Sequence, residues 1–339
     1  MDESAHQSVL AIDLGGTQIR AALITPDAEV HCRRSIPTRD DDGVEAVVAR
    51  ICELAISVRD EVATQGLPLP IGVGVSSPGP LDPWRGVVVA PPNLAGWRDV
   101  PLAARIATAV RLPTFLERDT NVALQAEWRH GAAREVRTAI YVTVSTGIGG
   151  AVIVDGRPLM GADGTAGEVG HMTVELDGPR CGCGGIGHVE AIASGTALAR
   201  EARDLLKRGS AEHLAMLAAT GEEVDAELLA RAADAGDEAC VVVLDRAWKA
   251  IGAMCASLVN LLNPEVIVIG GSIAEHRPRL FDAVRVEVAQ RSFATPAGRL
   301  RVVPAALGAD VSLIGALPIV NDRIGDPAYA GAQQGVTPT

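Results

Sequence analysis

The sequence has 339 residues, of which 48% are hydrophobic, and this length favours about two domains, each with its own core. The formal net charge of -12 is spread along the chain without a long acidic or basic run, so we expect no nucleic-acid partner. The apolar runs are far shorter than a membrane span, and the first residues lack a basic region followed by an apolar one. We therefore expect a cytoplasmic protein without a membrane anchor.

The first predicted element is a hairpin of two strands in VLAIDLGGTQIRAALI, residues 9–24. Apolar and β-branched residues flank the glycines at its centre, and they show no helical period. The segment IYVTVSTGIGGAVIV, residues 140–154, has the same pattern. Such self-similarity indicates two halves built alike.

Helices and strands alternate around these hairpins, which predicts an α/β fold. Apolar residues at three- and four-residue steps predict a helix over 44–62, followed by a strand at 71–76, a helix near 101–110 and a strand at 113–117. Beyond the second hairpin we predict helices over 193–207 and 237–263, a strand over 265–271, another helix, and a strand over 299–305. The last residues, 326–339, are rich in Gly, Pro and Ala, and we predict a flexible tail.

The two glycine turns are candidates for phosphate binding. Glycine lets backbone N–H groups approach phosphate oxygens, and a neighbouring threonine adds a hydroxyl donor. One such turn alone favours a plain chain reversal, whereas two repeated Gly/Thr turns favour a phosphate clamp. Neither turn fits the P-loop or dinucleotide-binding patterns. The residues of interest are Gly15, Gly16 and Thr17 in the first turn and Thr143, Ser145, Thr146 and Gly147 in the second.

Two aspartates stand at the ends of predicted strands. Asp13 precedes the first glycine turn and could hold Mg²⁺ directly or through water. Asp119 lies where the strand at 113–117 gives way to a helix. Its carboxylate could serve as a catalytic base, but aspartate is also among the best N-cap residues. The residue chemistry supports both roles about equally, and one residue can do both.

The segment HMTVELDGPRCGCGGIGHVE, residues 171–190, predicts a metal site. His171, Cys181, Cys183 and His188 offer four ligands of the kind that tetrahedral zinc prefers. Four protein ligands leave no open coordination position, so we expect a structural Zn²⁺. The flanking imidazoles make a redox pair or incidental thiols the weaker interpretation. The other four cysteines fall in predicted helices or strands, which suits a reducing cytoplasm.

In their order and spacing, these motifs resemble the ROK family (repressor, open reading frame, kinase) of sugar kinases, which includes the bacterial-type glucokinases. The resemblance extends from Val9 to about Val320. It rests on DLGGT, SSPGPLD, PPNLAGW, RDTNVA, TGIGG, GEVGH, CGCGGIGHVE, ASGTAL and NPEVIVIGGS.

The resemblance implies an actin-like, ribonuclease-H-like fold of two α/β domains, with ATP and sugar in the cleft between them. We expect an N-terminal domain over 1–118 that is completed by about 310–325, and a larger domain over 119–309 that contains a zinc loop at 170–190. The family also implies a homodimer or a homotetramer.

Site residues follow from the resemblance by position. Asp119 corresponds to the base that accepts the proton of the attacking hydroxyl. The residues implied at the sugar are Gly79, Asn93, Arg118, Glu168, His171 and Glu190. Those implied at ATP are Asp13, for Mg²⁺, and Gly15, Gly16, Thr17, Thr146, Gly147, Gly270 and Gly271. His171 would then serve both zinc and sugar.

The chain departs from the family pattern at two positions. His188 stands where the family most often has a third cysteine, and zinc tolerates this exchange. Arg118 stands where the family usually has an asparagine that contacts the sugar. Arginine is charged and only donates hydrogen bonds, so it cannot repeat both roles of an amide. Arg118 either pairs with an acid outside the pocket or meets a different group of the substrate.

The expected activity is ATP-dependent, Mg²⁺-requiring phosphorylation of the primary hydroxyl of a hexose, with glucose favoured. N-acetylmannosamine, another hexose or a sugar-like cyclitol are the alternative acceptors. Polyphosphate is a less favoured donor because a polyanion track favours a basic surface. A sugar-responsive regulator is also less favoured, because those members carry an N-terminal helix-turn-helix extension and here the first strand begins by about residue 9. A zinc-ribbon interaction module is disfavoured by the small size of the loop.

Overall fold

The computed structural model describes residues 7–275 and 277–331, so part of the predicted tail, 332–339, lies outside the described residues. The chain forms two units. Unit 1 contains the described residues of Met1–Arg134, Met160–Ala166 and Ala306–Thr339, and unit 2 contains Glu135–Leu159 and those of Gly167–Ala305. In the described part of the chain, none of the helices has the length and apolar character that a membrane crossing requires.

The N-terminal part of unit 1 contains strands β1 (Val9–Leu14), β2 (Gln18–Ile24), β3 (Val30–Pro37), β4 (Val73–Ser77), β5 (Leu81–Asp82), β6 (Val87–Val88) and β7 (Thr114–Arg118), and helices α1 (Val44–Thr64), α2 (Leu102–Val110) and α3 (Asp119–His130). The five-stranded sheet has the order β3-β2-β1-β4-β7. β1 pairs antiparallel with β2 and parallel with β4, and β4 pairs parallel with β7. The predicted first hairpin and the helix over 44–62 are confirmed.

Unit 2 contains strands β8 (Ala139–Val144), β9 (Ile148–Val154), β10 (Arg157–Pro158), β11 (Val266–Gly270) and β12 (Arg301–Pro304), and helices α4 (Val189–Ala193), α5 (Gly195–Arg208), α6 (Glu212–Ala218), α7 (Ala226–Asp234), α8 (Glu238–Leu262), α9 (Pro278–Arg291) and α10 (Ala294–Ala297). Its sheet has the order β10-β9-β8-β11-β12. As in unit 1, an antiparallel hairpin is joined to parallel strands, which is the repeat that the sequence predicts.

Local chemistry sets the ends of the helices in unit 2. The Ser194 hydroxyl accepts the Ala197 N–H at the start of α5. The Asp237 carboxylate accepts the Cys240 N–H at the start of α8. The residue after α8, Asn263, adopts the left-handed conformation that ends many helices. The apolar faces of these helices then cover the sheet.

The C-terminal part of the chain returns to unit 1 as α11 (Val311–Ile314) and α12 (Ala316–Arg323). These helices pack on one face of the sheet, where Leu317 and Val320 join Val9 and Phe115 in a buried cluster. At Gly74 in β4, an added Cβ would come within 2.7 Å of the Ala316 Cβ. Glycine is needed there because helix and strand lie so close.

The boundary between the units differs from the predicted one. The units divide between Arg134 and Glu135, whereas the sequence predicts a boundary after Arg118. The physical reason is α3, which packs on the C-terminal helices so closely that a Cβ at Gly315 would lie 2.2 Å from the Val122 carbonyl oxygen. α3, with Asp119 at its start, therefore belongs to unit 1.

Candidate active site

The first glycine turn joins β1 and β2 in unit 1. The Gly15 N–H donates to the Gln18 carbonyl at 2.9 Å, and Gly16 and Thr17 are exposed. A Cβ at Gly16 would lie 3.5 Å from the Asn93 carbonyl oxygen, so the structure brings Asn93 beside this turn. An exposed turn with a small residue at its tip leaves its backbone open to a ligand.

Thr38 holds this turn in place and was missed by the sequence analysis. Its hydroxyl donates to the Gly15 carbonyl at 2.7 Å, and its N–H donates to the Thr17 carbonyl at 2.9 Å. The side chain is buried. No local sequence pattern singles out Thr38, because its partners Gly15 and Thr17 precede β2 in the chain, whereas Thr38 follows β3.

Asp13 pairs with Arg20, directly opposite on β2. Its Oδ2 accepts from Nε of Arg20 at 3.0 Å and from Nη2 at 2.6 Å. Arg20 Nη1 donates to the Ala309 carbonyl at 2.7 Å, so the guanidinium is held from both sides. The predicted Mg²⁺ residue thus stands next to a fixed cation that the sequence analysis did not single out.

Asp119 is the first residue of α3. Arg118 occupies the N-cap position with extended backbone angles, φ -64° and ψ 141°. Asp119 Oδ1 accepts the Thr120 N–H at 2.7 Å. If Asp119 were the N-cap, α3 would begin at Thr120. It begins at Asp119 instead, so Asp119 is not the N-cap. A carboxylate in the first turn is stabilised as the anion by the helix dipole.

A buried network fixes the backbone that carries Asp119. Glu117 is fully buried, and its Oε1 accepts from the Arg118 N–H at 2.8 Å and from Nδ2 of Asn121 at 2.9 Å. Its Oε2 forms a short ion pair with Arg323 of α12. Arg323 also donates to the Leu116 carbonyl at 3.2 Å. The junction between β7 and α3 is thus held on both sides by hydrogen bonds.

The Arg118 side chain lies inside unit 1, with 2% of the residue exposed. Its Nη2 donates to the Ala166 carbonyl in a short hydrogen bond. A Cβ at Gly79 would lie 3.2 Å from Cδ of Arg118, so the arginine stem covers the backbone of Gly79. Two of the residues implied at the sugar are therefore in direct contact.

The predicted metal ligands come together in unit 2. One ligand atom from each of His171, Cys181, Cys183 and His188 lies within 4.8 Å of all the others. Sγ of Cys181 is 3.8 Å from Nδ1 of His171, and Sγ of Cys183 is 3.3 Å from Nδ1 of His188. Tetrahedral zinc, with bonds of about 2.0–2.3 Å, spaces its ligand atoms about 3.3–3.8 Å apart. The donor set suits Zn²⁺, and these two pairs have the spacing of a tetrahedral site.

The loop that carries these ligands is ordered by its own backbone. The Cys181 N–H donates to the Gly185 carbonyl and the Gly184 N–H to the Cys181 carbonyl, both at 2.9 Å. Burial raises the pKa of the Cys181 thiol to about 11. A bound divalent cation favours the thiolate and opposes this effect. The turn thus brings Cys181 and Cys183 into the same metal-ligand cluster.

Two predicted sugar residues adjoin the metal cluster. Oε2 of Glu168 lies 4.0 Å from Nε2 of His171, the ring nitrogen opposite the one that faces Cys181. Oε2 of Glu190 accepts the Ile148 N–H at 2.9 Å, and its Oε1 lies 3.6 Å from Sγ of Cys181. His171 is thus oriented with one nitrogen toward the cluster and the other toward a carboxylate.

The second glycine turn joins β8 and β9. The Thr146 carbonyl accepts from the hydroxyl of Thr196 at 2.9 Å, and the Ser145 carbonyl accepts from the Gly195 N–H at 2.8 Å. Gly271 has φ +95°, and a Cβ there would come within 2.4 Å of the Val144 carbonyl oxygen. The structure therefore brings Gly271, the residue after β11, next to Val144 at the end of β8, where the turn at 145–148 begins.

Each unit holds part of the predicted site. Unit 1 contains Asp13, Gly15, Gly16, Thr17, Gly79, Asn93, Arg118 and Asp119, and unit 2 contains Thr146, Gly147, Glu168, His171, Cys181, Cys183, His188, Glu190, Gly270 and Gly271.

The fold is that of the actin-like, ribonuclease-H-like α/β proteins, as the sequence analysis predicts. The ROK family model matches residues 9–323, and the chain belongs to this family. A glucokinase from Thermotoga maritima is 35% identical over 317 residues, which cover 94% of this chain and 98% of the relative. An N-acetylmannosamine kinase from Salmonella typhi is 33% identical over 266 residues, which cover 78% of this chain and 83% of the relative.

The similarity to a solved structure also supports membership of the ROK family. The crystal structure of a ROK family glucokinase from Streptomyces griseus, in complex with glucose and AMPPNP, superposes with a TM-score of 0.77 and 29% identity. The similarity covers 93% of this chain and 99% of that one.

Proposed function

We propose that this chain is a sugar kinase that transfers the γ-phosphoryl group of ATP to the primary hydroxyl of a hexose, and that glucose is the acceptor. The observation that carries the proposal is the glucokinase relative, which is 35% identical over 94% of this chain. The position of Asp119 supports it, because this carboxylate stands at a helix start that the buried Glu117 holds rigid.

In the proposed mechanism, Asp119 accepts the proton of the attacking hydroxyl. A base in this role needs a carboxylate within hydrogen-bond reach and a fixed orientation. The remaining barrier to phosphoryl transfer is lowered by positioning and charge neutralisation. The backbone N–H groups of Gly15, Gly16 and Gly147 and the hydroxyls of Thr17 and Thr146 are suited to bind phosphate oxygens.

Two metals belong to the proposal. Asp13 would supply an oxygen donor of the kind that Mg²⁺ prefers, and Mg²⁺ bound with ATP would neutralise phosphate charge. Since Arg20 engages Oδ2 of Asp13, we propose that Asp13 acts on Mg²⁺ through water. His171, Cys181, Cys183 and His188 would hold Zn²⁺, which would stabilise the shape of the loop without taking part in the reaction.

Sugar recognition is assigned to Gly79, Asn93, Arg118, Glu168, His171 and Glu190. Carboxylates can accept from two hydroxyls at once, and the guanidinium of Arg118 can donate to a hydroxyl or carbonyl oxygen. Because Arg118 is fixed by the Ala166 carbonyl, its position is set before the sugar arrives. A carbonyl on the acceptor suits this donor, and N-acetylmannosamine carries one. The relative that is an N-acetylmannosamine kinase makes this sugar the second candidate.

An ADP-release assay with a panel of acceptors tests the proposal. Glucose, N-acetylmannosamine, mannose, fructose and a cyclitol are compared by kcat/KM, with ATP or polyphosphate as the donor. We expect glucose with ATP to give the highest value. No turnover with any acceptor would refute the kinase proposal, and a higher kcat/KM for N-acetylmannosamine would refute glucose.

The variant Arg118→Asn sharpens this assay. We expect it to change the ratio of kcat/KM between glucose and N-acetylmannosamine, since it replaces a charged donor with an amide that both donates and accepts. The exposed Arg85→Asn exchange is the matched control, and it is expected to leave the ratio unchanged. An unchanged ratio in Arg118→Asn would remove Arg118 from the sugar site.

A further inference from the structure

The turn at 145–148 is built against the segment that follows the metal loop. The N–H groups of Gly195 and Thr196, at the start of α5, donate to the carbonyls of Ser145 and Thr146 at 2.8 Å and 3.2 Å. These bonds use the carbonyl side of the turn. The N–H side of the turn, where the Ser145 N–H already donates to the Gly147 carbonyl at 2.9 Å, offers the N–H groups of Thr146 and Gly147 to a phosphate group.

One carboxylate reaches the N–H side. Oε2 of Glu190 accepts the Ile148 N–H at 2.9 Å. A Cβ at Gly147 would lie only 2.7 Å from the same oxygen, so the absence of a side chain at Gly147 makes room for the carboxylate. Glu190 therefore fixes the orientation of the peptide between Gly147 and Ile148.

The backbone that carries Glu190 is tied to the metal cluster. Oε1 of Glu190 lies 3.6 Å from Sγ of Cys181, but a metal-bound thiolate has no proton to donate to it, so the link runs through the start of α4. Glu190 is also the second residue of α4, for which the metal ligand His188 is the N-cap. The Val189 N–H donates to the Met172 carbonyl at 3.0 Å, which ties the start of α4 to the residue after His171. The backbone that carries Glu190 is thus tied to His188 directly and to His171 through its neighbour Met172.

We infer that Glu190 is a positioning residue for nucleotide binding: it transmits the geometry of the Cys/His cluster to the phosphate-binding turn at 145–148. The inference rests on the proposed function, which makes this turn a phosphate site. It predicts that the metal cluster affects ATP affinity when no sugar is present, in addition to any effect of Glu190 on the sugar.

The test compares Glu190→Ala and Glu190→Gln with the parent chain in the absence of sugar. Two quantities are measured: backbone hydrogen exchange at Ile148 and the Kd of Mg·AMPPNP by calorimetry. For Glu190→Ala we expect Ile148 exchange to rise at least about ten-fold, as for one lost hydrogen bond to a charged acceptor. The Kd is expected to rise in the same variant. Glu190→Gln keeps an oxygen acceptor but loses its charge, so we expect both values to rise less than in Glu190→Ala.

The control is Glu175→Gln, which removes another carboxylate of the metal loop. Glu175 forms an exposed ion pair with Arg246, with contacts of 2.6 Å and 3.0 Å, and such pairs contribute little to stability. We expect neither Ile148 exchange nor the nucleotide Kd to change. We expect both Ile148 exchange and the nucleotide Kd to rise in the parent chain once its metal has been removed with a chelator. Elemental analysis checks the removal.

Unchanged Ile148 exchange in Glu190→Ala would overturn the inference. If only the KM for sugar rises in that variant, Glu190 is a sugar ligand alone, and the proposed kinase activity still stands. If the parent phosphorylates no sugar, the proposed function fails, while the exchange data still decide the link between cluster and turn. If Glu190→Ala does not fold, Glu190→Asp replaces it, because the shorter side chain withdraws its carboxylate from Ile148.

Discussion

The ion pair between Glu117 and Arg323 gives the sharpest prediction about the scaffold of the site. We consider Arg323→Ala, which leaves Glu117 as a fully buried carboxylate without its cation. Removing one partner of a buried pair costs about 3–5 kcal/mol. Arg323 also donates to the Leu116 carbonyl at 3.2 Å, and its guanidinium lies 4.5 Å from the centre of the Tyr329 ring. These contacts add about 1–2 kcal/mol.

The expected loss of about 4–7 kcal/mol is a large part of the stability of a typical domain. Urea unfolding followed by tryptophan fluorescence measures it, since Trp97 is buried in the unit 1 core and Trp128 lies on α3. The double variant Glu117→Gln/Arg323→Met removes both charges, and we expect it to recover much of the loss. A loss below about 1 kcal/mol in Arg323→Ala, the value typical of an exposed pair, would refute the reasoning.

Three further predictions concern single groups. Asp119→Asn is expected to lower kcat by about 10²–10⁴-fold, with sugar binding measured by calorimetry largely kept; a near-normal kcat would exclude Asp119 as the base. Protein purified without added metal is expected to contain about one Zn²⁺ per chain by elemental analysis, and His188→Ala to lose it while His188→Cys keeps it. Burial raises the pKa of the Cys240 and Cys255 thiols to about 12, so at pH 8 we expect iodoacetamide to leave both unmodified, with mass-mapped labelling as the check.

The sequence predicts the parts of the fold that have a local period or a local composition. The hairpin at 9–24, the helix at 44–64 and the metal ligands all belong to this class, because their partners lie within a few residues or within one loop. The pairing of Glu117 with Arg323 cannot be predicted from local sequence. The two residues are 206 positions apart, and a charged residue usually indicates a solvated surface.

Asp13 and Arg20 are an intermediate case. They are register partners on β1 and β2, so a hairpin centred on Gly15 and Gly16 already places them opposite each other. Opposite charges in directly paired positions stabilise a sheet. The signal for this pair was present in the sequence, and it changes the role expected of Asp13, since part of its carboxylate is occupied.

The glycines of the motifs turn out to serve different physical needs. At Gly147 an added Cβ would meet the Glu190 carboxylate at 2.7 Å, and at Gly79 it would meet Cδ of Arg118 at 3.2 Å. A Cβ at Gly147 would displace the Glu190 carboxylate, and one at Gly79 would press on the Arg118 side chain. At Gly16 the nearest atom is the Asn93 carbonyl oxygen at 3.5 Å, an ordinary contact distance, and the residue is exposed. Glycine at Gly16 is therefore not required by the protein's own packing, which agrees with the predicted phosphate contact there, whereas glycine at Gly147 and Gly79 leaves the Glu190 and Arg118 side chains in place.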